Sequence, residues 1–356
     1  MKLNDLVNKT SEWLKGTGPN SDIVISSRIR LARNLDKAPF PHWANKKQAE
    51  ENLKTIEEAA GNIDDLKKSA IFRLADMDNI DKQFLVERHL MSHEHAQKAN
   101  ANAVLVDEEE IISIMINEED HLRMQVMRSG FNLFDAWDII NKLDDDFAGK
   151  LPLAFLPDWG YLTACPTNTG TGMRGSVMLH LPALVMSRQI NRVLAAIAKL
   201  SFTTRGLYGE GTQASGNFFQ VSNQVALGHN EEEILENIHG LIKQIIEQEN
   251  QARESLLSRS RSMLEDKVSR SFGILKNAHI ITSEETIELL SMLRLGIDMS
   301  LIKEISRRAI NELFIVTQPA HLQKLENKKL SPQERDMKRA EIIRSKLKEH
   351  IGREDV

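Results

Sequence analysis

Alternating apolar and polar positions recur along the first two thirds of the chain. The alternation predicts strands with one buried face at 22–31, 174–181 and 217–223, together with a hairpin at 102–117 and a further strand at 202–208. Apolar residues at helical spacing predict helices at 46–60, 78–92, 135–143 and 182–200. This order of elements favours an α+β fold with a largely antiparallel sheet flanked by helices.

The pattern changes at residue 230, where apolar residues begin to repeat at helical spacing. A helix is predicted from 230 to beyond 260, followed by helices at 284–295, 299–317 and 332–349. Proline and glycine are sparse in this part of the chain, which favours a continuous all-α region. We therefore predict two domains, an α+β domain at 21–251 and a helical C-terminal domain at 252–356.

The first predicted strand carries two arginines on its polar side. Ile29 shares a parity with Ile23, Ile25 and Leu31, whereas Arg28 and Arg30 fall on the opposite parity. Two cations side by side on one strand face repel each other unless an anion lies between them. An anion-binding site is therefore favoured over a simple solvated face.

An acidic run follows the hairpin, reading Glu-Glu-Asp-His-Leu-Arg from Glu118 to Arg123. If the strand stays extended, Asn117, Glu119, His121 and Arg123 share a face. Carboxylates beside a buried strand and close to a histidine are candidates for general-base chemistry.

A glycine-rich stretch from Cys165 to His180 holds the only cysteine of the chain. The thiol is either packed in the core or a tuned reactive group, and the residues alone leave both interpretations open. The spacing of Gly170, Gly172 and Gly175 matches the dinucleotide fingerprint and the protein-kinase glycine loop. Both matches fail because a strand follows the glycines and the other motifs of those folds are absent from the sequence.

Charge and composition exclude several classes of function. The net charge of −5 argues against a general nucleic-acid binder and gives no sign of membrane-surface binding. A single cysteine excludes an internal disulfide and, with an N-terminus unlike a signal peptide, predicts a cytoplasmic protein. The spacing of His89, His93 and His95 is only superficially metal-like, since no cysteine lies nearby, and no protein metal site is predicted.

Three runs together resemble the ATP:guanidino phosphotransferases, the family of creatine and arginine kinases. They are Ser26–Arg30, Asn117–Arg123 and Cys165–Asn168 followed by Arg174, and they occur in the family's order over roughly 21–251. The resemblance implies transfer of the γ-phosphoryl of ATP, with Mg²⁺ held through ATP, to a guanidinium nitrogen. The implied fold is an antiparallel sheet flanked by helices.

The resemblance also implies roles for individual residues. Glu119 matches the carboxylate that orients and deprotonates the guanidinium, Glu118 is its catalytic neighbour, and Cys165 matches a reactive cysteine that contacts the guanidinium. The implied ATP-binding residues are Ser26, Ser27, Arg28, Ile29, Arg30, His89, Arg123, Arg174, Gly175, Ser176, Val177, Met178, Arg205, Gly206, Leu207, Tyr208, Gly209 and Glu210.

Two departures from the family pattern concern the substrate site. Tyr208 stands where the small-guanidino kinases have an arginine, and Gln213 stands where they have a glutamate. Only 25 residues precede Ser26, so the N-terminal helical domain that helps to enclose a small substrate is missing from this sequence. This layout resembles the bacterial protein-arginine kinases and implies a protein arginine as substrate.

The helical region adds a second motif to that resemblance. Arg335, Asp336, Arg339 and Ala340 fit the Arg-Asp-x-x-Arg-Ala pattern that binds phosphoarginine in that subfamily. Taken alone, the same residues are a charged helix face. The implied partners are arginine-bearing protein substrates, a zinc-binding activator protein, a heat-shock repressor and the Clp protease machinery, with marking for proteolysis in the stress response.

Two other functions stay open from the sequence. One is a kinase for free arginine or another small guanidino compound, and the other is an inactive adaptor that acts through the helical domain. Neither direct nucleic-acid binding nor membrane binding is expected, and the apolar helices leave room for a homodimer.

Overall fold

An eight-stranded antiparallel sheet lies at the centre of the protein in the computed structural model, which describes residues 1–98, 100–206 and 215–351. The strands are β1 Val24–Arg33, β2 Ala70–Arg73, β3 Ala103–Val106, β4 Ile112–Ile116, β5 Leu122–Ser129, β6 Phe155–Leu156, β7 Gly160–Tyr161, β8 Met173–His180, β9 Phe202–Arg205 and β10 Phe218–Asn223. Their spatial order in the large sheet is β2-β3-β4-β5-β1-β8-β10-β9, and β6 pairs with β7 separately.

The helices have the following bounds: α1 Lys46–Gly61, α2 Asn79–Glu87, α3 His93–Ala96, α4 Leu133–Ala148, α5 Pro182–Met186, α6 Ile190–Lys199, α7 Glu231–Asn277, α8 Ser283–Asp298, α9 Arg307–Val316, α10 Pro319–Glu326 and α11 Pro332–Ile351. Short 3₁₀ turns lie at Leu3–Leu6 and Glu12–Leu14 near the N-terminus. No helix in the described part of the chain has the length and apolar character needed to cross a membrane.

The two faces of the sheet differ in what covers them. One face packs its apolar residues, such as Ile29 and Val177, against α1, α4, α5, α6 and the first half of α7. The other face packs Met115, Met127 and Phe218 against α2 and the C-terminal helices α8–α11. The polar part of this second face carries the arginines, so the C-terminal region and the candidate site share one side of the sheet.

The long helix α7 joins the sheet to the C-terminal helices. Asn230 begins it with a capping box, in which its side chain accepts from the backbone nitrogen of Glu233 and the Glu233 carboxylate accepts from Asn230 N. The helix runs from Glu231 to Asn277 with non-helical dihedral angles at Ser260. The predicted domain boundary at 251/252 therefore falls inside a continuous helix, and the boundary itself stays a prediction.

The strand β1 lies between β5 and β8 and positions its arginines as the alternation predicts. Arg30 is opposite Gln125 on β5 and opposite Arg174 on β8. Ile29 is fully buried on the face that packs against the helices, whereas Arg28 is on the other face. This part of the sequence prediction is confirmed by the geometry.

The beginning of β1 departs from the predicted alternation. A register shift between Val24 and Ser26 interrupts the pairing with β8, as a bulge does. Ile25 consequently packs in the cluster with the C-terminal helices rather than in the cluster of Ile29. The prediction that Ile25 shares a face with Ile29 is therefore wrong.

The acidic run also differs from the extended conformation that was predicted. Asn117 adopts a left-handed conformation with φ 57°, and the chain turns before β5 begins at Leu122. Asparagine tolerates this conformation better than most residues do. Glu118 and Glu119 therefore lie in the turn between β4 and β5, and Glu119 does not continue a strand face.

Three helix predictions need adjustment. The predicted helix at 182–200 is two helices, α5 and α6, separated by Arg188 at φ 59°. The predicted helix at 78–92 ends at Glu87, and His89 has φ 59°. The predicted helix at 299–317 begins only at Arg307, and α10 was not predicted.

Candidate active site

Five arginines from four strands of the large sheet gather on its polar part. Antiparallel pairing and strand parity place them together: Arg28 and Arg30 come from β1, Arg123 from β5, Arg174 from β8 and Arg205 from β9. Four of them, all except Arg28, line a cavity of about 850 Å³. Arg28, Arg30, Arg123 and Arg205 also line an adjoining cavity of about 180 Å³.

The cationic cluster is only partly neutralised by the residues around it. Burial and the nearby charges of Arg123, Arg174 and Arg205 lower the pKa of Arg28 to about 9. Burial and the same neighbours, with Arg28, lower the pKa of Arg30 further below its ordinary value. The Arg30 Nε is buried and has no hydrogen-bond partner among the described residues. Such a cluster is suited to a multiply charged anion.

Hydroxyl and amide side chains hold two of these arginines in place. Arg28 Nε donates to Ser176 Oγ at 3.3 Å and Nη1 donates to Gln125 Oε1 at 3.4 Å. Arg174 Nη2 donates to Thr203 Oγ1 and to Ser222 Oγ, both at 3.1 Å. These hydroxyl and amide partners are neutral and orient the two guanidinium groups.

Glu118 is the anchor of the acidic turn. Its Oε1 accepts from Arg123 Nη1 and from Ser92 Oγ, both at 2.7 Å, and its Oε2 accepts from Glu119 N at 2.9 Å. Burial alone raises the pKa of Glu118, but the Arg123 charge and these hydrogen bonds outweigh it and lower the pKa to about 2. Glu118 is therefore ionised and fixed at neutral pH.

Glu119 has the opposite electrostatic character. Burial, followed by the charges of Asp120 and Glu118, raises the pKa of Glu119 above its ordinary value, and Arg123 and Lys98 oppose this only in part. Its side chain lines the large cavity together with Cys165. A carboxylate that holds a proton more tightly than usual and faces a cavity is suited to accept a proton from a bound group.

Cys165 lies on the same cavity as Glu119 and close to the acidic turn. Ala164 N donates to Asp120 Oδ1 at 2.7 Å, which fixes the cysteine segment beside the turn. The Cys165 Sγ lies 3.1 Å from Thr167 Oγ1 and is only partly buried. The thiol is therefore accessible from the cavity, which favours the reactive interpretation over a packed core cysteine.

The small cavities beside the arginines contain His89. Its ring lies edge-on to Trp13 with a centroid distance of 5.3 Å, and burial, with the Arg28 and His93 charges, lowers the pKa of His89 to about 3. His89 is thus neutral at physiological pH. A further niche of about 20 Å³ is lined by His89 and Arg28 together with Ser26, Ser176 and Met178.

Other residues implied to bind ATP lie away from these cavities. Ile29 and Val177 are buried in the core on the opposite face of the sheet. A Cβ at Gly175 would lie 2.5 Å from Ile238 Cδ1 of α7, so this glycine also faces the core. Ser27 Oγ donates to Gly130 O.

The end of β9 is described only in part. Gly206 directly follows the strand and is buried. Leu207, Tyr208, Gly209, Glu210 and Gln213 lie outside the described residues, so the two departures from the family pattern have no structural account.

The C-terminal motif lies on α11, away from the cavity lining. Arg335 and Asp336 are partly exposed, whereas Arg339 and Ala340 are buried. The Arg339 guanidinium donates to Thr317 O and Ile281 O, both at 2.9 Å, and also to the Asp336 carboxylate. In this conformation Arg339 ties α11 to the rest of the helical region, and Arg335 is the more accessible cation.

Several cavity residues were not found from the sequence. They are His42, Glu94, Lys98, Thr167, Asn168, Thr203 and Gln224. Thr203 shares a strand parity with Arg205, which is a signal that could have found it. His42 and Lys98 come from irregular segments, and no periodicity marks them.

No group of three or more histidine, cysteine, aspartate and glutamate side chains suited to a metal ion occurs within residues 1–98, 100–206 and 215–351. Glu118 is already paired with Arg123. The charged and reactive groups that line the large cavity are arginine and lysine cations, the paired carboxylate of Glu118, the carboxylates of Glu119 and Glu94, and the thiol of Cys165.

Comparison with known proteins places this chain in a family. Residues 51–252 match the family model described as ATP:guanido phosphotransferase, C-terminal catalytic domain, and residues 261–355 match the protein-arginine kinase McsB C-terminal domain. A protein-arginine kinase of Halothermothrix orenii is 50% identical over 98% of this chain and 99% of its own length. A protein-arginine kinase of Symbiobacterium thermophilum is 47% identical, with the same coverage.

Solved structures agree on the fold. A lombricine kinase superposes with a TM-score of 0.59 at 23% identity, covering 72% of this chain and 77% of its own. The duplicated taurocyamine kinase from Schistosoma mansoni, with bound transition state analog components, gives 0.60 at 21% identity, covering 80% of this chain and 40% of its own. The chain belongs to the ATP:guanido phosphotransferase family, and its C-terminal part matches the C-terminal domain of the protein-arginine kinase McsB.

Proposed function

We propose that this protein is an ATP-dependent protein-arginine kinase that transfers the γ-phosphoryl of ATP to arginine side chains of proteins. One observation carries the proposal: a single cavity is lined by guanidinium groups of the protein together with Glu119 and Cys165. The relatives named protein-arginine kinase, matched over nearly their full length, support the choice of a protein substrate.

The arginine cluster is the proposed binding site for the triphosphate. Arg28, Arg30, Arg123, Arg174 and Arg205 face the two adjoining cavities, and a polyphosphate would relieve their mutual repulsion. The cavity of about 180 Å³, which neutral His89 lines together with Arg28, is the proposed place for the nucleoside end, and both residues also line the niche of about 20 Å³, which has room for about one water molecule. Ser26, Ser176 and Met178 complete that niche.

Glu119 is the proposed general base. A guanidinium keeps its proton in water at any physiological pH, so its nitrogen is a poor nucleophile. As the nitrogen forms a bond to the γ-phosphorus, the Oβγ–Pγ bond breaks with its electron pair going to ADP, and the nitrogen's proton passes to Glu119. The protein's arginines stabilise the charge that develops on the phosphoryl oxygens.

Glu118 and Cys165 have supporting roles in this proposal. Glu118 fixes the backbone of Glu119 and the guanidinium of Arg123 through its three hydrogen bonds. Cys165 is proposed to contact the substrate guanidinium and to help orient it against Glu119.

Magnesium is expected to arrive with the nucleotide. The described residues contain no carboxylate cluster that would hold it, and the paired Glu118 leaves the phosphate oxygens as its main ligands. When bound, the ion neutralises part of the phosphate charge.

The proposal also includes the phosphoarginine-binding motif, the substrates and the partners that the family resemblance implies. Arg335 and Asp336 would read phosphoarginine, with Arg339 and Ala340 shaping their helix. Arginine-bearing proteins would be substrates in the cytoplasm, marked for regulated proteolysis under stress. A zinc-binding activator, a heat-shock repressor and the Clp protease machinery are the partners expected by analogy.

Phosphosite mapping after incubation with ATP and an arginine-rich protein tests the proposal. We expect a phosphorylation that is labile to acid and survives base, located on arginine by mass spectrometry. Glu119→Ala serves as the negative control. Phosphoserine or phosphotyrosine alone would refute the proposal, and efficient turnover of free arginine with no protein phosphorylation would replace it by a small-guanidino kinase.

A further inference from the structure

An exposed aromatic cluster stands beside the carboxylate end of the large cavity. Phe40, His42 and Trp43 contact one another, with the His42 and Trp43 rings 4.9 Å apart at 60° and the Phe40 and His42 rings stacked at 6.0 Å. Trp43 is 75% exposed, more than any other large hydrophobic residue among those the structure describes. A tryptophan held this far into solvent next to a binding cavity indicates a contact surface.

The cluster is joined to the catalytic cavity by His42. This side chain lines the cavity that also holds Glu119 and Cys165. The loop that carries the cluster is fixed to the acidic turn, because Pro39 O lies 3.0 Å from His121 Nε2, two residues after Glu119. The aromatic cluster is thus anchored beside the acidic turn that carries Glu119, where the substrate guanidinium is proposed to lie.

We propose that Phe40, His42 and Trp43 dock the polypeptide that flanks the target arginine. The occupant is a locally extended segment of the substrate protein with an apolar or aromatic residue next to that arginine. When an arginine side chain reaches Glu119, its own backbone must cross the rim of the cavity, where this cluster lies. This inference rests on the proposed function and deepens it, since it concerns the protein substrate of the same cavity.

The chemistry of the cluster fits such an occupant better than it fits a free guanidino compound. A small substrate would be enclosed in the cavity and would leave Trp43 in solvent. Aromatic side chains bury a large apolar area at low entropic cost, and a tryptophan at an interface often carries much of the binding energy. A polypeptide can reach both the cavity and the rim at once.

A peptide-binding measurement tests the inference without relying on phosphoryl transfer. Two unstructured peptides each contain one arginine, which is flanked by leucine in one peptide and by serine in the other. Both carry fluorescein, and their binding is compared by fluorescence anisotropy in the absence of ATP. We expect the full-length protein to bind the leucine-flanked peptide about tenfold more tightly, a difference of about 1.4 kcal/mol. Trp43→Ala should remove this preference, and Trp43→Phe should keep most of it.

Leu200→Ala is the matched control, because Leu200 is also an exposed apolar residue, at 57%, and does not line the cavity. It should behave as the unaltered protein does. An unchanged preference in Trp43→Ala, or no binding of either peptide to the unaltered protein, overturns the inference. The inference is also overturned if Trp43→Ala changes only the oligomeric mass measured by light scattering and leaves peptide binding unchanged. In that case the cluster mediates contacts between copies of the chain.

The two proposals fail in different ways. Trp43-dependent peptide binding without any phosphoarginine product would refute the kinase proposal and leave the docking surface standing. The opposite outcome is phosphoarginine formation in which Trp43→Ala leaves the KM of each peptide unchanged and the two peptides have equal KM values. That outcome would refute the docking surface and leave the kinase proposal standing.

Discussion

Glu118 and Arg123 form an ion pair of 2.7 Å across the turn between β4 and β5, and this pair separates two adjacent carboxylates into different roles. The pair keeps Glu118 ionised with a pKa of about 2, whereas burial and the neighbouring acids raise the pKa of Glu119. Pairs of carboxyl groups whose environments move their pKa values apart are a recurrent sign of divided acid–base roles. Both carboxylates line the large cavity, and Glu119 is the one whose raised pKa suits it to accept a proton.

Glu119→Ala should abolish phosphoryl transfer while nucleotide binding survives. Loss of a general base costs about 10²–10⁴-fold in rate. Transfer is measured by phosphoarginine formation, and nucleotide affinity by calorimetry with ATP. Turnover near that of the unaltered protein would remove Glu119 from the base role.

The loss of activity at low pH should reflect the protonation of Glu119 alone. A base must be deprotonated to act, so kcat/KM should fall as pH drops through the pKa of Glu119, which lies above its ordinary value of 4.5. Glu118, with a pKa of about 2, stays ionised throughout this range and adds no second limb. An acid limb that lies entirely below pH 4.5 contradicts this assignment.

Ser92 should matter to catalysis through Glu118, the carboxylate to which its hydroxyl donates. Its hydroxyl donates to Glu118 Oε1 and accepts from His95 N, so it both fixes the acidic turn and begins α3. Removing a hydrogen bond to a charged group costs about 1.5–3 kcal/mol, so Ser92→Ala should lower kcat at least about tenfold. Ser92→Thr, which keeps the hydroxyl, should restore kcat. A threonine variant as slow as the alanine variant would show that packing, and not the hydrogen bond, is responsible.

Much of this site could be predicted from strand periodicity, and the reason is geometric. Arg28, Arg30 and Arg174 occupy polar positions of alternating strands, and alternation assigns a side chain to a face directly. The pairing of β1 with both β5 and β8, which brings these arginines together, is a long-range property that alternation cannot report. The resemblance to a family supplied that step.

The parts that sequence reasoning missed depend on irregular backbone. The left-handed Asn117 turned the acidic run into a hairpin turn, so Glu119 and Arg123 line the same cavity from the turn and from β5 and not as one extended strand face. Ser92 lies beyond the end of α2 and His42 lies in an irregular segment, and both reach the site only through the tertiary fold. The residues that departed from the family pattern, Tyr208 and Gln213, lie outside the described residues.

Arg30→Gln should stabilise the protein without nucleotide and weaken its response to ATP. The Arg30 side chain is partly buried close to four like charges, and its buried Nε has no hydrogen-bond partner among the described residues. Neutralising it removes that repulsion, and we expect a gain of about 1 kcal/mol, which is typical when a strained functional residue is replaced. Thermal unfolding with and without ATP measures both effects.

The control for Arg30→Gln is Arg270→Gln, since Arg270 is an exposed arginine of α7 whose charge is paired with Asp266 at 2.8 Å. This variant should leave both melting curves within error of the unaltered protein. A lower melting temperature of Arg30→Gln without ATP would mean that Arg30 contributes more to folding than its repulsion costs.

The two arginines of the C-terminal motif should behave differently when replaced. Arg335 is partly exposed, so Arg335→Ala should leave stability and basal transfer unchanged and weaken phosphoarginine binding measured by calorimetry. Arg339 is 1% exposed and donates to two backbone carbonyls, so Arg339→Ala should cost about 3 kcal/mol of stability by leaving buried acceptors unpaired. Denaturant unfolding of both variants separates the two roles. Equal stability of the two variants would contradict the structural role of Arg339, and unchanged phosphoarginine binding by Arg335→Ala would remove Arg335 from the binding motif.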